Sequence, residues 1–258
     1  MNVEIKPVET RAERRAFVRY PWRIYPGRYP AWVPPLLVEE HKRIDPKKNP
    51  FFDHGAVQLL LAYKEGRVAG RIAAIENRIH NEFHGDKVGF FGLFESEEDS
   101  DVAGALLDGA AQWVGSRGLD TLRGPTNFST NEECGLLLDN FDSAPYVMMT
   151  YNPPYYVDLL EGWGLRKAKD LLAYEVTRED FDQPRFAKLR QLIERFGREI
   201  SVRSVRMDRF QEEVGLIRRL YNEAWERNWG FVPMTDAEVD HMAKQLKPVV
   251  DPDLALIG

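Results

Sequence analysis

The chain has 258 residues, 43% apolar and 29% charged, an ordinary globular composition with room for one large or two small domains. A formal net charge of −6 gives a nucleic-acid partner no electrostatic support, and a single cysteine, Cys134, excludes an internal disulfide and predicts a reducing, cytoplasmic compartment. The opening MNVEIKPVETRAERR is polar where a secretory leader would be apolar, and the longest apolar stretch, Val57 to Tyr63, falls far short of the roughly 20 residues of a membrane span.

Near the N-terminus, Trp22, Tyr25, Tyr29 and Trp32 interleave with Arg14, Arg15, Arg19, Arg23 and Arg28. Such a set suits either a membrane interface or lipid-like substrate, or a half-buried helix and proline-rich loop whose arginine stems pack on aromatics. Ala56 to Ala62 reads as a strand, residues 64–67 as a tight turn and Val68 to Ile75 as the hairpin partner. His80 and His84 flank a polar loop with no third ligand in sight, so no metal is assigned. Val88 to Phe94 is a further strand. Val102, Leu106, Ala110, Trp113 and Val114 share one helical face, with Ser100 or Asp101 as N-cap and Gly118 past the end. Leu119 to Leu122 is then a short strand, which completes a βαβ unit with parallel strands.

The loop GPTNFSTNEECG, residues 124–135, follows that strand, and ligands in such units collect at the carboxyl ends of parallel strands. Asn127, Ser129 and Asn131 are candidate substrate contacts there, against the alternative of a capped turn. Glu132 could deprotonate an attacking ammonium. Glu95 is a rival base, read more simply as a solvated acid at a helix start. Cys134 has no histidine near it in sequence and reads as a small buried thiol. In YNPPYYVDLLEGWGLRKAKDLLAYEV, residues 151–176, a helix stops on Gly162 and Gly164 and an alternating strand, Leu171 to Val176, returns to the sheet; Tyr151 and Asn152 open this stretch beside the expected cleft. Pro184 to Phe196 and Phe210 to Trp225 are helical, Gly197 ends the first of them, and DPDLALIG resembles a strand just beginning, which predicts a chain that continues.

This order of elements resembles the GNAT acyl-CoA N-acyltransferase fold, and the segments WVPPL (32–36), NPFFDH (49–54), RGPTNFSTNEECGLL (123–137) and YNPPYYVDLLEGWGL (151–165) are similar to a tandem-lobe bacterial branch of it. The resemblance implies an α+β fold, a mixed, largely antiparallel sheet with helices on both faces. Residues 1–178 would form one lobe, and 179–258 the helical beginning of a second, truncated one. It implies acyl transfer from acyl-CoA to an amine, with a lipid-like amine among the acceptors of similar branches; the residues themselves give no metal and, through the aromatic and arginine-rich N-terminus, at most peripheral membrane contact. The family's diphosphate loop, Q/R-x-x-G-x-G/A, is missing: ESEEDSD, Glu95 to Asp101, stands in its place, and five acids there repel a diphosphate. The donor site is therefore expected beyond Gly258. The family's acid, a tyrosine four residues before the helix-ending glycine, is replaced by Leu160; Tyr156, one turn earlier, is the candidate acid or else a cleft-lining aromatic. The alternative to an enzyme is a catalytically silent ligand- or partner-binding module of the same fold.

Overall fold

The computed structural model describes residues 2–196, 201–248 and 250–258. In chain order the elements are β1 (Val3–Pro7), α1 (Arg11–Arg19), α2 (Pro21–Ile24), α3 (Leu37–Arg43), β2 (Gly55–Lys64), β3 (Arg67–Asn77), α4 (Arg78–His84), β4 (Val88–Ser96), α5 (Ser100–Ser116), β5 (Thr121–Arg123) and α6 (Tyr156–Trp163). The strands form one sheet in the order β1-β2-β3-β4-β5. The first three pairings are antiparallel and β4–β5 is parallel, joined by the α5 crossover. This is the predicted mixed, largely antiparallel sheet. β1 is an addition: VEIKP reads as polar because only one side of this edge strand meets the core.

Alternation along the strands sends side chains to two cores. Leu60, Ala62, Ile72, Ala74 and Phe91 pack beneath α5 and α6, against Val102, Leu106, Leu107, Ala110, Tyr156 and Leu160. Leu59, Leu61, Ala73, Ile75 and Phe90 face the other way, against Phe17, Val18, Ile44 and Phe51. Helices therefore cover both faces, as the sheet pattern requires.

Polar residues fix the helix starts. Thr10 and Glu13 form a reciprocal capping box on α1. α5 is capped by Asp99, one or two residues before the expected caps Ser100 and Asp101: its Oδ1 accepts from the amides of Asp101 and Val102 at 3.0 and 3.2 Å. Gly118 follows the helix at φ +77°, and Gly164 ends α6 at φ +116°, both left-handed conformations that favour glycine. His80 and His84 lie on α4 rather than in a loop, with Asn77 as cap and their rings 4.4 Å apart.

Contacts divide the chain into two units, the residues up to Lys167 with Ala224–Glu238, and Ala168–Glu223 with Val239–Gly258. The sheet and its helices belong to the first. Within it, segment 224–238 docks through Thr130 Oγ1 donating to Gly230 O (2.5 Å), Asn131 Nδ2 to Val232 O (3.0 Å) and His84 Nε2 to Phe231 O (2.8 Å). In the second unit, β6 (Arg203–Ser204) pairs antiparallel with β7 (Leu256–Ile257), and Glu213 is buried between Arg203 (2.8 Å) and Arg206 (2.6 Å). Helices α7 (Pro184–Phe196) and α8 (Phe210–Trp225) form where predicted, and α9 (Asp236–Leu246) is an addition; Gly197 lies outside the described residues.

The predicted strand Leu171 to Val176 does not form. Leu172 and Tyr174 stand 74% and 81% exposed, with no regular structure from Leu165 to Val176. An alternating run becomes a strand only when a neighbouring ladder takes its N–H and C=O groups. No strand among the described residues pairs with it.

Candidate active site

The site begins with an irregularity in β4. Arg71 pairs with Glu95 and Ala73 with Gly92, so β4 carries one more residue than β3 between these points, with Leu93 at φ +47°. The extra residue flips the alternation. Phe91 and Phe94 now share one core while Leu93 joins the other. Asn127 stabilises this bulge, its Oδ1 accepting from Leu93 N at 2.7 Å while its Nδ2 donates to Glu133 Oε2 at 2.9 Å. Chain segment 124–126 crosses β4 closely here. A Cβ on Gly92 would lie 2.2 Å from Thr126 O, and one on Gly124 would lie 2.4 Å from Phe91 O.

Beyond the bulge, Glu95 points into a cleft of about 340 Å³, lined also by Tyr25, Trp32, Glu40, Arg43, Arg71, Asn127, Glu133, residues 145–152 and Tyr156. The Glu95 side chain is only 12% exposed. Its Oε2 accepts from Tyr156 Oη at 2.6 Å and Tyr25 Oη at 2.9 Å. Arg71 Nη2 lies 3.6 Å from Oε1, an ion pair too long for a direct hydrogen bond. Burial raises the Glu95 carboxyl above the ordinary carboxylate range, opposed by the Arg71 guanidinium and the two hydroxyls. Burial and the Glu95 charge together push the Tyr156 and Tyr25 phenols well above 10. Ser96 N donates to Tyr156 Oη at 3.0 Å, which fixes that hydroxyl's orientation toward Glu95.

Arg71 is 4% exposed; it donates to Phe17 O at 2.9 Å, and its Nε finds no partner among the described residues. Arg43 is surrounded by three carboxylates, Glu40 at 3.2 Å, Glu133 at 3.5 Å and Glu132 at 3.7 Å. Burial and the neighbouring acids outweigh Arg43 at Glu132 and push its pKa up to about 7. The cleft lining thus holds Glu40, Glu95 and Glu133 against Arg43 and Arg71, a surplus of one negative charge if all are ionised.

The structure brings Tyr156, Asn127, Tyr151 and Asn152 onto this cleft. Glu132, Ser129 and Asn131 are not among its lining residues: Glu132 stands behind Arg43, Ser129 Oγ accepts from Asn131 N at 3.1 Å, and Asn131 reaches the 224–238 segment. Asn152 Oδ1 accepts from Leu137 N at 2.7 Å, and Tyr151 Oη donates to Phe141 O at 2.8 Å, so both shape the wall through backbone contacts. Glu95 is not the solvated acid its sequence neighbours suggest. Sequence reasoning also missed Arg71 and Glu40. Arg71 left one signal, a lone arginine amid the apolar alternation of VAGRIAAI.

The acidic segment after Glu95 is tied down. Asp99 occupies the first amides of α5 and is gripped by Lys64 Nζ at 2.5 Å, and Arg67 pairs with Glu97. Among the described residues no group of histidine, cysteine and acidic side chains could hold a metal ion, and no helix is long and apolar enough to cross a membrane.

The sheet order, the parallel crossover through α5 and the cleft at the end of a bulged β4 give the GNAT-like fold that the resemblance implies. The chain is 39% identical over 251 residues to the bacterial ceramide synthase of Caulobacter vibrioides and 35% identical over 244 residues to protein YghO of Escherichia coli. These alignments take in 97% and 95% of the chain and 65% and 62% of those proteins, so the chain spans less than two thirds of either relative. No family profile matches it. Solved structures with partial likeness include a tandem GNAT protein of clavulanic acid biosynthesis (13% identity, TM-score 0.39, 63% of this chain and 43% of that one). Another is glucosamine-6-phosphate N-acetyltransferase of Arabidopsis thaliana (11% identity, TM-score 0.39, 69% and 100%).

Proposed function

We propose that the chain serves an acyl-CoA-dependent N-acyltransferase and that its cleft binds the acceptor amine. The observation that carries this reading is the Glu95 carboxylate, nearly enclosed at the end of β4 and held by two tyrosine hydroxyls in a cleft with a surplus of negative charge. Such a lining attracts an ammonium. Glu95 takes one proton from it; a carboxyl raised by burial is a better base than a solvated one. The free amine attacks the thioester carbon, the N–C bond forms and the C–S bond breaks. Tyr156 gives its proton to the departing thiolate and regains one from Glu95 along their 2.6 Å hydrogen bond, while the second amine proton leaves to water. The likeness to a protein named bacterial ceramide synthase supports a long-chain, lipid-like amine as acceptor.

In this reading the sheet-bearing unit, the residues up to Lys167 with Ala224–Glu238, acts as the acceptor-side lobe, and the second unit belongs to a further lobe. The donor's diphosphate sits elsewhere, because Asp99 and Lys64 already occupy the start of α5. That occupation also supports a second reading, a silent module that binds an amine without acylating it. Thiol release from acyl-CoA in the presence of long-chain amines separates the two. For the full natural protein, Glu95→Gln should lower kcat by about 10²- to 10⁴-fold with little change in KM for acyl-CoA. A parent-like rate in that variant would sink the assignment, and absence of any turnover in the parent would favour the binding module.

A further inference from the structure

A second cavity lies among the N-terminal helices α1, α2 and α3 and strand β3. It has a volume of about 450 Å³ and is lined by Ala16, Arg19, Tyr20, Trp22, Arg23, Leu37 and Val68. Its wall is apolar except where the two arginines enter. Leu37 is flanked in sequence by Leu36 and Val38, 74% and 64% exposed, and α3, which carries Leu37 and Val38, packs against α1, which carries Arg19. Exposed aliphatics beside an apolar groove are a liability in water unless something covers them.

The charge pattern indicates what does. Residues 11–28 contain six arginines and one acid, Glu13, in a chain whose net charge is −6. Glu13 is turned into the α1 capping box and does not neutralise the arginines. Among the described residues neither Arg19 nor Arg23 forms an ion pair, and Arg23 Nη1 donates to the Val68 carbonyl at 3.2 Å. A basic, aliphatic-tipped patch is drawn to an anionic, apolar-cored surface.

We propose that this face docks on an anionic lipid bilayer. Leu36 and Val38 enter the interface, Arg19 and Arg23 meet lipid phosphates, and the groove between them receives part of an acyl chain. The contact is peripheral, and it involves none of the residues assigned to proton transfer in the cleft.

Co-sedimentation of the 258-residue chain with vesicles tests it, comparing phosphatidylcholine alone with phosphatidylcholine and phosphatidylglycerol mixed. The chain should pellet with the anionic vesicles only, and be released as salt is raised. Each basic residue near such a surface contributes about a factor of five, so Arg19→Gln with Arg23→Gln should weaken binding by about tenfold or more. Leu36→Asp with Val38→Asp should weaken it comparably with an unchanged melting temperature, since both side chains are already in water. Arg19→Lys with Arg23→Lys should retain most of it. Glu95→Gln should pellet like the parent, which separates this surface from the acylation chemistry. Failure to pellet with either lipid, equal binding to the neutral vesicles, or parent-like binding by both the glutamine and aspartate pairs would overturn the proposal.

Discussion

Glu95 shows how one residue's chemistry is set by a neighbour's backbone. Without the extra residue in β4 the alternation would carry its side chain to the other side of the sheet. With it, the carboxylate meets two phenols and a guanidinium. Because the Tyr156 hydroxyl favours the charged form, Tyr156→Phe should raise the Glu95 pKa further. The acidic limb of kcat/KM for acyl transfer should then move to higher pH, alongside any loss of rate; a limb that stays in place would separate the two residues functionally. Glu132 gives a stability test with a definite sign. Its folded pKa of about 7 lies above the unfolded value, so its contribution is full below the unfolded pKa and is lost as pH rises through 7. Glu132→Gln should therefore melt higher than the parent at pH 8, by on the order of 1–3 kcal/mol, and equally at pH 4. Arg43 keeps Glu40 and Glu133 in that variant. Tyr156 was legible in the sequence, because its helical face and its place before Gly164 could be read directly. Glu95 was not: in ESEEDSD it looks like one of five equivalent acids, and only the bulge separates it from the other four.

At the scale of elements, strands with two apolar faces or a tight hairpin declared themselves, which is why β2, β3, β4 and α5 were found close to their true bounds. β1 goes unread, and the run Leu171 to Val176 reads as a strand that does not form, for one reason. A strand is defined by its partner, and single-chain alternation does not record whether a partner is present. The start of α5 carries two tests. Asp99→Ala should cost about 1 kcal/mol through loss of the cap, while Asp99→Asn, an equally good cap, should cost much less; thermal melts of the pair measure this. An alanine as stable as the parent would show that Lys64 and Asp99 do not hold the helix end. Gly92→Ala should destabilise by about 1–3 kcal/mol or more, because its Cβ would meet the Thr126 carbonyl, which is backbone and cannot rotate away. The same substitution should also displace Asn127 and hence Glu133 at the cleft wall.

At the scale of the whole molecule, the first unit is discontinuous. The sheet and cleft come from the residues up to Lys167, yet Ala224–Glu238 returns to them, bringing Phe231 and Val232, 4% and 3% exposed, and the carbonyls that satisfy Thr130, Asn131 and His84. Glu238 also accepts from His54 Nε2 at 2.8 Å. A chain cut after Lys167 should thus fold less stably than the 258-residue chain and expose the 124–135 loop to protease, as limited proteolysis with mass readout would show. Synthesis on the ribosome runs in one direction, from N-terminus to C-terminus, and this unit's last piece is made well after its sheet. The nascent sheet therefore stands with its loop unfastened until residue 238 has cleared the exit tunnel, an interval in which the surface later covered by Phe231 and Val232 is open to water.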